Sequence, residues 1–358
     1  MTMSVTEEQV KDALRAVQDP DLHKDIVTLG FVKEVRINGG EVDFTVELTT
    51  PACPVKDQMK AEAEARVAAL PGVKAARAKM TADVKARGGF GRQAVEGIRN
   101  ILAVGAGKGG VGKSTTSVNL AVALQRKGAR VGLMDADVYG PNIPQMLGIV
   151  DPPEVSDDKK MIPPEAHGIK VISMGMLVPP DQAIIWRGPM LHGAVQQFMR
   201  DVVWGELDYL VVDLPPGTGD VSLSMAQSVP VAGAVVVTTP QSVSTADVRK
   251  AVAMFRQLNI PILGVVENMS YFVCGHCQER TDIFGTGGGR KMAEDLKIPL
   301  LGEVPIDTRV RSGGDDGKPI VVAAPDAPAA VAFSEIAGKV AAQISIQSMR
   351  VLRVVQTA

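Results

Sequence analysis

The run Gly107-Lys108-Gly109-Gly110-Val111-Gly112-Lys113-Ser114 constrains this chain more than any other feature. It satisfies G-x-x-x-x-G-K-[ST], in which glycines let backbone N–H groups turn inward around phosphate oxygens, the lysine reaches the outer phosphates and the hydroxyl faces Mg²⁺. Ahead of it, Ile101-Leu102-Ala103-Val104 reads as a buried strand; behind it, Ser114 to Lys127 reads as a helix closed by Gly128. Strand, glycine loop and helix N-terminus in that order aim the helix dipole at phosphate. Gly107, Lys108, Gly109, Gly110, Val111, Gly112, Lys113, Ser114 and Thr115 form the expected phosphate-binding set.

Further apolar runs end in acids. Arg130-Val131-Gly132-Leu133-Met134 leads into Asp135-Ala136-Asp137, and Tyr209-Leu210-Val211-Val212 ends at Asp213, placed to meet magnesium directly or through water. Ala234 to Thr238 and Ile262 to Val266 are two more strand-like runs flanked by helical stretches. The pattern predicts an α/β fold, a doubly wound and mostly parallel sheet.

Lys108 adds a second lysine, so that Lys108 to Ser114 reads K-G-G-x-x-K-[ST]. In this the chain resembles the deviant-Walker ATPases, the P-loop NTPase group that includes MinD, ParA and the nitrogenase iron protein. The resemblance implies a nucleotide-sandwich homodimer in which Lys108 touches the partner's nucleotide. It also implies that Asp135 holds magnesium waters, that Asp137 orients the attacking water, and that Asn268, in Glu267-Asn268-Met269, reads adenine, so that ATP is favoured over GTP. Lys108, Lys113 and Asp137 are then the catalytic residues.

Cys274-Gly275-His276-Cys277 is the second decisive feature. A C-x-x-C is half a zinc site, a redox dithiol, or two ligands of an iron–sulfur cluster. The third cysteine, Cys53, is remote, so one chain does not easily close a four-thiolate site, whereas two copies across a two-fold axis would. His276 between the cysteines reads as a tuning or solvent-facing residue. With Met134 to Asn142, Trp186 to Met190, Glu267 to Ser270 and Phe284 to Gly289, the stretch from about Ile98 to Ala342 resembles the Mrp/ApbC branch of the group, iron–sulfur cluster carriers and scaffolds. The resemblance implies ATP, Mg²⁺ (on Ser114, Asp135 and Asp213) and a 4Fe-4S cluster on Cys274 and Cys277. It also implies slow ATP hydrolysis coupled to cluster carriage, with apo iron–sulfur proteins and other assembly proteins as partners.

At 358 residues the chain is long enough for two or more domains. We expect a small α+β domain over 1–86, a flexible linker over the glycine-rich 87–97, the ATPase domain over 98–343 and a tail over 344–358. Thr6-Glu7-Glu8-Gln9 reads as a capping box opening a helix to Val17. Phe31 to Ile37 and Glu41 to Leu48 alternate around Asn38-Gly39-Gly40 as a hairpin, followed by a helix from Val55 to Leu70 and a strand near Val73 to Met80. With its Asp-Pro pair and Thr50-Pro51-Ala52-Cys53-Pro54 turn, this front part resembles the small domain of cytosolic iron–sulfur assembly factors. Cys53 is a transient cluster ligand or a structural thiol. Gly287-Gly288-Gly289 opens a helix towards Leu296, a tight turn in preference to an anion site.

A formal net charge of −2 without a basic stripe predicts no nucleic-acid partner. No charged-then-apolar leader and no spanning apolar run are evident, and the cysteines are few and odd in number, so a cytoplasmic protein with no membrane partner is expected. The competing reading is a MinD- or ParA-like positioning ATPase without a cluster, which leaves the C-x-x-C unexplained.

Overall fold

The computed structural model describes residues 5–86, 94–138, 140–177, 188–217, 223, 225 and 228–356. Most of the expected linker, Tyr139, Trp186 and Arg187 fall outside them. The chain divides into two compact units, Met1–Lys85 with Ala341–Ala358, and Ala86–Val340.

In the smaller unit, helix α1 (Glu7–Leu14) opens with the expected capping box: the Thr6 hydroxyl accepts from the Gln9 N–H, and the Gln9 side chain accepts from the Thr6 N–H. Strands β1 (Val32–Asn38) and β2 (Glu41–Leu48) form the antiparallel hairpin, with Asn38 opposite Glu41. Helix α2 (Lys56–Ala68) then carries the chain to β3 (Ala75–Ala82), parallel to β2. Inward-facing Val42, Phe44, Val46 and Leu48 meet Val10, Leu14, Met59, Ala63 and Val67 in one core.

The larger unit is built on a nine-stranded sheet. Its parallel centre runs β6 (Ile169–Ser173), β5 (Val131–Asp135), β7 (Leu207–Asp213), β4 (Ile98–Ala106), β8 (Val231–Thr238), β9 (Ile262–Val273) and β10 (Leu300–Ile306). Two-residue antiparallel strands, Glu165–Ala166 and Arg280–Thr281, pair with β6 and with the far end of β9. Every residue of β5, β7 and β8 is buried, as parallel strands covered on both faces require. Helices α3 (Lys113–Arg126), α4 (Ile143–Met146), α5 (Gly188–Arg200), α6 (Ser242–Gln257), α7 (Gly288–Leu296) and α8 (Thr308–Asp315) belong to this unit.

A last helix, α9, runs Pro328–Gln356 without a break, so the boundary expected at residue 343 lies inside it. Phe333, Ile336, Ala337 and Val340 are fully buried, and Ile344, Ser345 and Ser348 continue that buried face. Ile336 lies so close to Gly302 of β10 that a Cβ there would come within 2.7 Å of Cγ1. Its stretch Pro328–Met349 is apolar and long enough to cross a bilayer, but 56% of its most apolar part is already buried in the protein.

Candidate functional site

Strand register assembles the centre of the site. Ser173, Asp135, Asp213 and Val104 are successive partners across β6, β5, β7 and β4, so both acids stand at one level at the carboxyl ends of the strands. That is where ligands bind in open α/β sheets. The loop from β4 to α3 rises beside them, with Gly110 and Gly112 at φ 79° and 82°, left-handed values that favour glycine. At Gly107 a Cβ would collide with the backbone of Asp247 in α6, so the loop can lie there only as glycine.

Asp213 is wholly buried and is satisfied by three donors. Lys113 Nζ and Ser114 Oγ each approach Oδ2 at 2.6 Å, and Ser117 Oγ donates to Oδ1 at 2.6 Å. Lys113 is itself buried and also lies 3.4 Å from Asp137 Oδ2. Asp135 is equally deep: its carboxylate accepts from Ser173 Oγ at 2.8 Å and from the Asp137 N–H at 3.1 Å. Burial, reinforced by the charge of Asp213, raises its pKa from 3.8 to about 8, against the opposing effect of the Ser173 bond.

The loop forms one wall of a cleft of about 980 Å³. Lys108, Gly109, Gly110, Gly112, Lys113, Ser114, Thr115, Asp137 and Asn268 line it, so most of the residues expected from sequence meet in one cavity. Val111 is buried beneath, its carbonyl accepting from Asn268 Nδ2 at 2.9 Å. Lys108, in the cleft lining, is half-buried and has no ion-pair partner among the described residues. The opposite wall was not foreseen: Pro305, Ile306 and Asp307 at the end of β10, with Val310 and Arg311 of α8. Their motif is short and lies nearly two hundred residues downstream, so no periodicity or spacing links it to the loop. Ser117 and Ser173 were missed as well, each reading locally as an ordinary helix or strand residue.

Cys274 and Cys277 occupy a hairpin tip. β9 runs past the sheet core to Val273, turns, and returns as Arg280–Thr281, with Val273 opposite Arg280. The Cys274 N–H donates to the Glu279 carbonyl and the Gln278 N–H to the Cys274 carbonyl, closing the turn. The N–H groups of Cys277 and His276, and then the Cys277 thiol, point at the Cys274 sulfur and hold its pKa below the ordinary thiol value. Cys277 and His276 are exposed. Among the described residues, no group of three or more His, Cys, Asp or Glu side chains gathers to hold a metal ion. One chain thus presents a pair of thiols, with backbone N–H groups arranged for a thiolate. Cys53 is different: half-buried in the smaller unit, its thiol is pushed up to about 11, chiefly by burial.

Comparison with known proteins agrees with this geometry. Residues 97–341 match the family described as NUBPL iron-transfer P-loop NTPase, and residues 7–80 match the iron-sulfur cluster assembly protein family. The iron-sulfur cluster carrier protein of Synechocystis sp. is 49% identical over 96% of this chain and 99% of its own length. That of Deinococcus radiodurans is 50% identical over 94% and 95%. Among solved structures, a nucleotide-binding protein from Archaeoglobus fulgidus, in complex with ADP, is 41% identical with a TM-score of 0.56, covering 63% of this chain and 88% of that one. The septum site-determining protein MinD of Pyrococcus horikoshii, complexed with Mg-ADP, shares the fold at 22% identity and a TM-score of 0.52, covering 66% and 94%.

Proposed function

The chain belongs to the iron-transfer P-loop NTPase family, and from that premise we propose that it is an ATP-hydrolysing iron–sulfur cluster carrier whose cargo rides on Cys274 and Cys277. The observation that carries the reading is the thiol pair, Cys274 half-buried and Cys277 exposed, at the tip that directly follows the strand contributing Asn268 to the nucleotide cleft. Two near full-length relatives named as carriers, together with the assembly-type front domain, favour it over a positioning ATPase, with which the likeness is one of fold.

In our reading the loop amides from Gly107 to Thr115 cradle the phosphates, and Lys113 turns from Asp213 to the outer phosphate. Ser114 and Asp213, with Asp135 behind them, fit a magnesium ion: a hydroxyl and two carboxylates of the hard-oxygen kind that ion takes. The ion supplies charge neutralisation at the transferring phosphoryl group. Asp137, at the cleft wall beside Lys113, orients the attacking water. Asn268 and the Pro305–Asp307 wall hold the adenine side.

The cargo is a 4Fe-4S cluster bridging two copies, because each copy offers two thiolates and such clusters take four. Lys108, half-buried in the cleft lining and without an ion-pair partner among the described residues, reaches the partner's nucleotide in the same homodimer. Nucleotide and cluster then share an interface, so each changes the affinity of the other, by about 5–150-fold for couplings of ordinary size. Apo iron–sulfur proteins are the recipients, and three unpaired thiols support a cytoplasmic location.

The test is transfer. Cluster-loaded protein mixed with an apo iron–sulfur enzyme should restore that enzyme's activity, at a rate that differs between ATP and ADP. Loaded protein that restores nothing, or a chain that takes up no iron and sulfide under anaerobic conditions, overturns the reading.

A further inference from the structure

Between the nucleotide cleft and the cysteine hairpin the chain passes through Glu267-Asn268-Met269-Ser270, and Glu267 has no part in the site described above. Its side chain is fully buried. Oε1 accepts from the Ser270 hydroxyl at 2.5 Å, and Oε2 accepts from the backbone N–H of Gly289 at 2.5 Å.

These two partners are the two ends of one excursion. Ser270 lies on β9 four residues before Cys274; Gly289, in the first turn of α7, is where the chain resumes regular structure after the hairpin. The two ends of residues 271–288, which contain both cysteines, are therefore tied to one carboxylate, in addition to the pairing of Phe272 with Ile306. The helix N-terminus has no side-chain cap at Gly287, and Glu267 fills that role from 22 residues away. The anion position weighed for this glycine run is thus taken by the protein's own carboxylate. Only glycine fits there, since a Cβ on Gly289 would stand 2.8 Å from Oε2, and one on Gly288 would collide with the Pro240 carbonyl.

The exit end is also bent. Met269 has φ 54°, a left-handed value unfavourable for a long side chain, and the pairing of β9 with β10 shifts register between Asn268 and Phe272. The bond from Ser270 to Glu267 spans that kink. Asn268, inside the span, is bonded to the phosphate loop through the Val111 carbonyl. A shift of the loop therefore pulls on a segment whose neighbours on both sides are fixed to one carboxylate.

We propose that Glu267 is a positioning residue that couples the phosphate loop to the cysteine hairpin, so that the nucleotide state sets the exposure of Cys274 and Cys277. This rests on the reading that the two thiols carry the cargo, but its test needs no cluster. Full-length, cluster-free protein is treated with iodoacetamide at saturating Mg-ADP or Mg-ATPγS, and labelling of each cysteine is followed by peptide mass spectrometry, with Cys53 as internal reference. In the wild type the labelling rate of Cys274 and Cys277 should differ between nucleotides by about 2–30-fold, the range of couplings carried through packed elements.

Glu267→Leu, which removes both acceptors, should bring that ratio to one. Ser270→Ala, which cuts only the exit bond, should reduce it. Glu267→Gln should keep most of it, since its amide oxygen can accept from Gly289 and its N–H can donate to Ser270. A wild-type ratio of one overturns the proposal, as does a wild-type ratio in Ser270→Ala or in Glu267→Leu, or a loss in Glu267→Gln as complete as in Glu267→Leu. If circular dichroism shows Glu267→Leu unfolded, Ser270→Ala decides. Failure of the carrier reading shows separately, as absence of iron uptake, whatever the labelling result.

Discussion

Lys113→Ala should do two different things, and the structure separates them. Lys113 is the expected phosphate ligand, so ATP hydrolysis should fall to background. It is also a buried counter-ion, 2.6 Å from Asp213 and 3.4 Å from Asp137. Removing one member of a buried pair leaves an uncompensated charge and costs about 3–5 kcal/mol. At about 2–4 °C per kcal/mol for a unit of this size, the nucleotide-free protein should melt roughly 6–20 °C lower. The hydroxyls of Ser114 and Ser117 still donate to Asp213, which puts the result nearer the lower end. Adding Asp213→Asn to Lys113→Ala removes the stranded charge and should recover most of the loss in melting temperature while leaving hydrolysis at background. Scanning calorimetry on the two variants, with phosphate release measured in parallel, checks both halves. A Lys113→Ala protein that melts within 2 °C of wild type would refute the buried pair, and one with normal turnover would refute the site.

Three further outcomes are expected. The raised pKa of Asp135 favours folding fully below the ordinary carboxylate value of 3.8, and that contribution is lost as pH rises towards about 8, so the urea midpoint of metal-free protein should fall across this window. Asp135→Asn should flatten the profile; an unchanged slope would show that other groups cause it. Mixing Lys108→Ala chains with Lys113→Ala chains should restore part of the hydrolysis, because a mixed dimer holds one intact composite site, and strictly additive loss would place Lys108 in its own subunit's site. Cys53→Ala should keep its cluster, as measured by iron content, and loss of iron would make that half-buried thiol a ligand.

What was legible in the sequence was whatever is contiguous. Gly107 to Ser114 carries its own turn chemistry, β4 and β7 contain the unbroken apolar runs Ile101 to Val104 and Tyr209 to Val212, and Thr6 to Gln9 spells its cap within four residues. Contacts between distant segments were not legible. Ser173 meets Asp135 because β6 and β5 pair in one register, and Glu267 meets Gly289 across 22 residues. The Pro305 to Arg311 wall faces the phosphate loop only once β10 has joined β9. Residues 344–356, β-branched and short of helical signals, are helical as the continuation of α9, whose buried face Ile344, Ser345 and Ser348 extend.

Carriage as proposed depends on one cluster held by two copies through Cys274 and Cys277. Native mass spectrometry after anaerobic reconstitution tests it most directly, because it weighs subunits and cluster in one ion. The expected species is a dimer carrying a single cluster, about four iron and four sulfide per two chains, absent from the Cys274→Ala and Cys277→Ala proteins. A cluster on the monomer, two clusters per dimer, or a loaded dimer of either variant would contradict it.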